Sequence, residues 1–119
     1  MSYDIYLRDP ATRETITLPE VHHITGGTYQ VGGCSEAWLN VTYNYGSHFY
    51  RIFPGEDGIR TIYGLTGAES IPVLEAAAGQ LGDDVADDYW ASTEGNAKRA
   101  LLQLIALARM APDGVWDGD

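Results

Sequence analysis

Residues 92–108 read STEGNAKRALLQLIALA and carry the strongest helical pattern in the chain. Ser92 or Thr93 can cap the first turn, because a hydroxyl oxygen accepts from the free N–H groups at a helix start. The apolar residues that follow are spaced three and four apart, which puts them on one face of a helix: Ala97, Ala100, Leu101, Leu104, Ile105 and Ala108. Pro112 ends the pattern. The stretch predicts an amphipathic helix with one buried face.

A second helix is predicted immediately upstream. Thr66 and Glu69 have the spacing of a capping box, and Ser70 ahead of Ile71-Pro72 is an alternative cap. Apolar residues then follow at helical spacing: Val73, Leu74, Ala77, Ala78 and Leu81. We expect this helix to end at Gly82.

The first half of the chain alternates with a period of two, which is typical of half-buried strands. Residues 2–8 and 14–18 predict a hairpin joined by the turn-rich residues 9–13. The residues expected to face the core here are Tyr3, Ile5, Leu7, Ile16 and Leu18.

A second hairpin is predicted from residues 35–45 and 48–53, where alternation is cleanest. Its core face carries Ala37, Leu39, Val41, Tyr43 and Tyr45. Residues 28–31 predict a further short strand, and residues 59–65 fit either a short helix or a strand.

Strands followed by helices predict one α+β domain over residues 1–119. We expect an antiparallel sheet of about four to five strands in the N-terminal half, with two C-terminal amphipathic helices packed on one of its faces. The length of 119 residues and the 45% hydrophobic content are ordinary for one globular domain.

The net charge of -10, with seven Lys and Arg residues in all, argues against binding to nucleic-acid phosphates and disfavours binding to anionic membrane surfaces. A single cysteine, Cys34, excludes an internal disulfide and fits a reducing compartment. The N-terminal residues lack a secretory pattern, and no apolar run reaches the ~18 residues that span a membrane. We expect a cytoplasmic protein.

Negative charge is concentrated in residues 83–94, which hold no Lys or Arg. If residues 83–88 were helical, their aspartates would form i, i+4 pairs about 5–6 Å apart, a row resembling nucleic-acid phosphates. The alternative is an acidic surface that only keeps the protein soluble. The residues predicted to bind a partner are Asp83, Asp84, Asp87, Asp88, Tyr89, Trp90 and Glu94.

Aromatic residues are frequent for so short a chain, with eight tyrosines and three tryptophans. Such rings cover area at low entropic cost and are enriched at interfaces. Besides Tyr89 and Trp90, we expect Trp38 and Trp116 to be candidates for an interface.

Metal and catalytic motifs are weak. His22, His23, Cys34 and His48 are possible ligands, but they lack zinc-site spacing, so we expect no metal and no cofactor. Nothing resembles G-x-S-x-G, and we predict a protein without enzymatic activity. The glycine pairs of residues 26–33 lack the Walker lysine that a phosphate-binding loop requires.

Several segments resemble small accessory proteins encoded by bacteriophages and prophages: residues 36–45 (EAWLNVTYNY), 66–72 (TGAESIP), 94–98 (EGNAK) and 112–119 (PDGVWDGD). The resemblance covers nearly the whole chain and implies a phage-type protein in the host cytosol, a category that includes many inhibitors of host defence. It brings no catalytic residue with it.

These observations predict a non-enzymatic binding protein whose acidic surface imitates nucleic acid and occupies a basic protein surface, as an anti-CRISPR protein would. One alternative is a small-molecule, nucleotide or metal binder using residues 26–33 with His22, His23 and His48. A second is a self-assembling phage structural or regulatory subunit.

Overall fold

The computed structural model describes residues 1–24, 26 and 33–119, and within them the chain forms five strands and three α-helices. The strands are β1 (Ser2–Arg8), β2 (Thr17–His22), β3 (Cys34–Glu36), β4 (Trp38–Thr42) and β5 (Val115–Gly118). The α-helices are α1 (Gly46–Ile52), α2 (Gly67–Ala78) and α3 (Glu94–Met110), with short 3-10 helices at Tyr43–Tyr45 and Gly58–Ile62. The predicted α+β class is confirmed.

The strands form two small antiparallel sheets, so the prediction of a single sheet of four to five strands is wrong. In one sheet β1 lies between β4 and β5, and in the other β2 pairs with β3. Only the turn of the first predicted hairpin forms, with a bridge between Arg8 and Thr15. The Ile16 N–H still donates to the Leu7 carbonyl, but β4 and β5 occupy both edges of β1, and the chain from Thr17 pairs with β3.

One face of the three-stranded sheet supplies much of the core. The register places Tyr3 opposite Val41, Ile5 opposite Leu39 and Leu7 opposite Trp116, and all of these side chains are buried. The residues predicted for this face of β1 and β4 are therefore confirmed, and Leu18 is buried as well.

The strand β5 is missing from the sequence prediction, and it changes the assignment of Trp116. This side chain is 0% exposed, and its indole N–H donates to the Ser70 hydroxyl at 2.7 Å. Ser70 in turn donates to the Gly67 carbonyl at 2.8 Å. Trp116 is thus a core residue that joins the sheet to α2, and its prediction as an interface residue is wrong.

Residues 43–52 are helical, so the second predicted hairpin is also wrong. The Thr42 hydroxyl accepts from the Asn44 N–H and turns the chain into the 3-10 helix that precedes α1. The buried residues of this region have helical spacing, which the alternating pattern conceals: Tyr45, Phe49, Ile52 and Phe53. Residues 59–65 contain the second 3-10 helix, one of the two predicted alternatives.

The C-terminal helices form as predicted, with one shift of boundary. Thr93 caps α3, and Thr66 with Glu69 forms a complete capping box at α2. Every apolar residue predicted for the core face of α3 is buried, and α3 packs against α2. However, α2 ends at Ala78 and not at Gly82, because residues 79–81 continue as tight turns.

The predicted strand at residues 28–31 lies outside the described residues. Among those that are described, no helix has the length and apolar character needed to cross a membrane.

The Ser70→Ala variant tests the link between β5 and α2. Removing the hydroxyl leaves the buried indole N–H of Trp116 without its acceptor, so we expect a loss of about 1–3 kcal/mol in the free energy of unfolding. Urea unfolding measures it. Ser35→Ala, at an exposed position on β3, is the control and should change stability by less than about 0.5 kcal/mol. Equal losses in the two variants would contradict this role of Ser70.

Candidate functional site

The acidic segment, residues 83–94, connects α2 to α3 and crosses the start of α1 and the end of β4. Residues 83–93 form no helix, and α3 begins at Glu94. The i, i+4 rows of aspartates considered above therefore do not exist. What holds the segment in place is a set of hydrogen bonds to its main chain.

Asn96, in the first turn of α3, makes the central contacts. Its side-chain oxygen accepts from the Ala86 N–H at 3.0 Å, and its amide group donates to the carbonyls of Asp88 at 3.0 Å and Ala91 at 2.9 Å. Asn96 is 2% exposed. A buried side-chain amide must have all its partners to avoid a large desolvation penalty. The segment therefore has to take the one path that satisfies Asn96.

Gly95 allows the segment to approach α3 closely. A Cβ atom at this position would lie 2.5 Å from the main-chain carbon of Asp84 and from the nitrogen of Val85. The Asp84 carboxylate also accepts from the Gly95 N–H at 3.1 Å. A carboxylate at this location satisfies a free donor of the helix start and interacts favourably with the helix dipole.

Tyr89 holds the other side of the segment against the edge of the three-stranded sheet. Its hydroxyl accepts from the Thr42 N–H at 2.9 Å and donates to the Asn40 carbonyl at 3.4 Å. These main-chain groups belong to β4, an edge strand that is thereby partly closed to further pairing. The Tyr89 carbonyl accepts from the Tyr45 hydroxyl. Burial raises the pKa of Tyr89 and raises the pKa of Tyr45 to about 12.

Further contacts attach the segment to the start of α1. Asn44 donates to the Trp90 carbonyl at 2.9 Å, and the Ser92 hydroxyl donates to the Asn44 carbonyl at 2.7 Å. His48 lies 3.0 Å from the Ser92 carbonyl through Nε2, while Arg51 donates to its Nδ1 at 2.9 Å. Because arginine can only donate, Nδ1 is the acceptor and Nε2 carries the hydrogen.

The carboxylates of Asp83, Asp84, Asp87 and Asp88 belong to exposed residues, and two of them, besides Asp84 with its bond to Gly95, also stabilise the local fold. Asp83 pairs with Lys98 at 2.8 Å, and Asp88 accepts from the Trp90 N–H at 3.0 Å. Glu94 is only half-buried and accepts from the Gly82 N–H at 2.9 Å. The segment thus presents a fixed group of negative charges to solvent.

Trp90 is the large aromatic residue that this segment exposes. Its side chain is 52% exposed and lies edge-on to the ring of Tyr89, with the ring centroids 5.0 Å apart. Tyr89 is half-buried and Trp38 is also half-buried. Of the predicted interface aromatics, Trp90 is the one most available to a partner.

The predicted ligand residues fall into separate environments. His22 contacts the Glu36 carbonyl and the Ile24 N–H in the β2–β3 sheet, where it lies opposite Cys34, whereas His48 binds Ser92. His23 is exposed. Among residues 1–24, 26 and 33–119 no three His, Cys, Asp or Glu side chains converge as a metal site. The glycine-rich stretch 26–33 lies outside the described residues except for Gly26 and Gly33.

Tyr89 and Asp84 help to position the segment and were predicted for the site, whereas Asn96, Tyr45 and Asn44 were not. Asn96 carried a usable signal, since it lies four residues before Ala100 and eight before Leu104, on the buried stripe of α3. A polar residue on such a stripe needs buried partners. Tyr45 and Asn44 gave no such signal in the sequence, because their hydrogen-bond partners lie 44 and 46 residues away.

Comparison of the chain with protein-family models, with curated proteins and with solved structures finds no match.

The Asn96→Asp variant tests the role of the buried amide. The carboxylate can still accept from Ala86, but it repels the carbonyls of Asp88 and Ala91 that the amide group satisfied. We expect a loss of about 1–3 kcal/mol in stability, together with faster hydrogen exchange of the amides of residues 85–93. Gln103→Glu makes the same chemical change later on α3, where no side-chain hydrogen bond of Gln103 is found among the described residues. If exchange in residues 85–93 were equal in both variants, Asn96 would not be the residue that holds the segment.

The Tyr45→Phe variant tests the coupling of the segment to alkaline pH. A tyrosine whose pKa is raised on folding stabilises the protein below pH 10.0, and this contribution disappears as pH rises to about 12. We expect the wild type to lose stability over this range more steeply than the variant. Thermal unfolding measures the stability of each protein, and each stability is expressed relative to that of the same protein at about pH 8. This removes the pH-independent loss of a hydrogen bond and leaves only the pH dependence. Identical slopes would contradict the assignment.

Proposed function

We propose that this chain is a non-enzymatic binding protein whose acidic segment occupies a basic surface of a partner protein. The single observation that carries the proposal is the combination of a rigidly held main chain with outward-facing acidic residues and an exposed tryptophan. The resemblance to phage-encoded proteins makes a bacterial defence protein with a nucleic-acid-binding surface the partner that we propose.

The attachment of the segment favours binding because it reduces the entropy lost on association. A free acidic loop would lose backbone freedom when a partner fixed it, at roughly 1–2 kcal/mol per residue. Here Asn96, Tyr89 and Asp84 already fix the main chain in the isolated protein. A preorganised surface retains more of its contact energy as affinity.

The charge supports recognition of a basic surface without relying on regular spacing. The net charge of -10 produces a negative potential around the whole molecule, and the acidic segment concentrates it. Such complementarity accelerates association and selects the partner more than it adds affinity. We assign the affinity to Trp90, since exposed tryptophans are frequent hot spots when they become buried in a complex.

The triple variant Asp84→Asn, Asp87→Asn, Asp88→Asn tests the role of charge while preserving the local fold. Asparagine keeps the side-chain oxygens that accept from Gly95 and Trp90, so the segment should remain in place. We expect proteins captured from a bacterial lysate by the wild type at about 50 mM salt, and released at about 500 mM, to be lost from this variant. Duplex DNA should displace the same proteins.

A second triple variant provides the control with the same net charge. Glu14→Gln, Glu56→Gln and Asp57→Asn remove three exposed carboxylates away from the acidic segment. We expect this control to capture the same proteins as the wild type, and quantitative mass spectrometry compares the sets. If both triple variants lost the same proteins, net charge alone would be responsible and the proposed site would be wrong.

The tryptophan is tested by measuring the affinity of Trp90→Ala for a captured partner after purification. We expect a loss of about 2 kcal/mol or more, mainly through faster dissociation. Leu102→Ala on α3 is the matched control, because its side chain is 49% exposed and Trp90 is 52% exposed. Equal affinities for the two variants would exclude Trp90 as the anchor.

A further inference from the structure

A second feature lies apart from the acidic segment, where β1, the start of α1 and the Gly58–Ile62 helix meet. There a surface pocket of about 340 Å³ is lined by three tyrosines and one arginine, together with two small residues: Tyr3, Tyr43, Tyr50, Arg60, Gly46 and Ser47. We propose that this pocket binds a small molecule made of a planar ring that carries one oxyanion, either a phosphate or a carboxylate.

Arg60 is the cationic centre of the pocket, and it is held in position. Its Nε–H donates to the main-chain oxygen of Asp119 at 2.8 Å, and one terminal N–H lies 3.5 Å from the Tyr50 hydroxyl. The guanidinium carbon lies 4.9 Å from the centre of the Tyr3 ring, a cation–π distance. A guanidinium fixed in this way loses little freedom when it binds an anion.

Most of the hydrogen-bonding capacity of Arg60 remains available to a ligand. A guanidinium has five N–H donors, and two of them have acceptors among the described residues. In the described part of the chain the side-chain carboxylates that form ion pairs contact Arg8, Arg51, Lys98 and Arg109, and none of them contacts Arg60. Arg60 is half-buried, so its remaining N–H donors are the groups that a ligand in the pocket would reach.

The neighbouring tyrosines also affect the pKa of Arg60. Burial by itself lowers the pKa of Arg60, but the hydroxyls around it outweigh that effect and raise the pKa: Tyr3, Tyr50, Tyr63 and Tyr43. An arginine side chain stays protonated in proteins, and an oxyanion is its natural partner.

The ring of the ligand is inferred from the pocket walls. Tyr3 and Tyr43 form an edge-to-face pair with centroids 4.6 Å apart. Tyr50 is 48% exposed, yet its ring lies over Gly58, where a Cβ atom would be 3.1 Å from two ring carbons. Gly58 has a φ of +58°, which few other residues adopt at low cost. The ring of Tyr50 is thus held beside Arg60, and its other face can stack on a planar group.

Size and charge restrict the class of ligand. A volume of about 340 Å³ is near the lower end of ligand pockets, which span roughly 300–1,000 Å³. It therefore fits a single ring system with its anionic group. The net charge of -10 disfavours ligands with many negative charges, such as a triphosphate or a nucleic-acid strand. A nucleoside monophosphate or an aromatic carboxylate satisfies both conditions.

Isothermal titration calorimetry of the intact chain tests the proposal with five probes. Phenyl phosphate, benzoate and AMP combine a ring with an oxyanion, whereas inorganic phosphate and adenosine each supply one half. We expect at least one combined probe to bind about tenfold more tightly than either half. Comparing the affinities of phenyl phosphate and benzoate then shows whether the preferred oxyanion is a phosphate or a carboxylate. The proposal would be overturned if none of the three combined probes bound at millimolar concentration. It would also be overturned if inorganic phosphate bound as tightly as the combined probes do.

Two variants place the binding in this pocket. Arg60→Gln should abolish it, and Tyr50→Ala, at an exposed position, should weaken it by about tenfold or more. Arg109→Gln removes the same charge from an exposed ion pair on α3 and should bind as the wild type does. Amide chemical shifts of Gly46 and Ser47 locate the bound probe independently, so the outcome is decided even if Arg60→Gln fails to fold. Wild-type affinity in Tyr50→Ala, or shifts confined to other residues, would contradict the assignment.

Discussion

Burial of the apolar face of α3 is the constraint on which the rest of this structure depends. The stripe from Ala97 to Ala108 is closed to solvent, and this requires neighbours on several sides. The helix α2 covers one side, while β4 and α1 also contact it. Alanines on the stripe allow close approach, and the leucines fill the remaining space. Removing apolar area of this extent from water is the dominant favourable term in the folding of a small domain.

The same stripe explains the acidic segment, because Asn96 interrupts it with a polar group. A buried amide without partners would cost about 1–3 kcal/mol, so the chain before α3 must return over the helix start and provide them. Ala86, Asp88 and Ala91 do so through their main chains. The Asp88 side chain remains exposed, so satisfying a buried group of the core also determines which charge the surface displays. The site proposed for a protein partner is therefore a consequence of how the core is satisfied.

The two proposed sites differ in the sign of their charge, and both follow from rigid positioning. The acidic segment collects carboxylates on a fixed main chain, where their mutual repulsion is partly relieved by Lys98 and by the N-terminus of α3. The tyrosine pocket instead holds one guanidinium, that of Arg60, among aromatic rings. The negative potential of the acidic segment and the positive charge of Arg60 can coexist on one small protein. Salt screens the electric field of each group beyond about 8–10 Å at ordinary ionic strength.

The sequence by itself determined the helices and strands that depend on residues close to one another in the chain. The sequence alone predicts α3 with its Thr93 cap and buried stripe, the capping box at Thr66, the alternating core faces of β1 and β4, and the acidic character of residues 83–94. These depend on periodicity and on hydrogen bonds between residues three apart, and both are visible in sequence.

Tertiary structure decided the rest. Residues 43–52 are helical because Tyr45 and Phe49 pack into the core, although their alternation equally fits a strand. The strand β5 exists because β1 offers a free edge, and Trp116 meets Ser70 across 46 residues. The path of the acidic segment and the convergence of Tyr3, Tyr50 and Arg60 also join residues distant in sequence, and such contacts form only when the whole core closes.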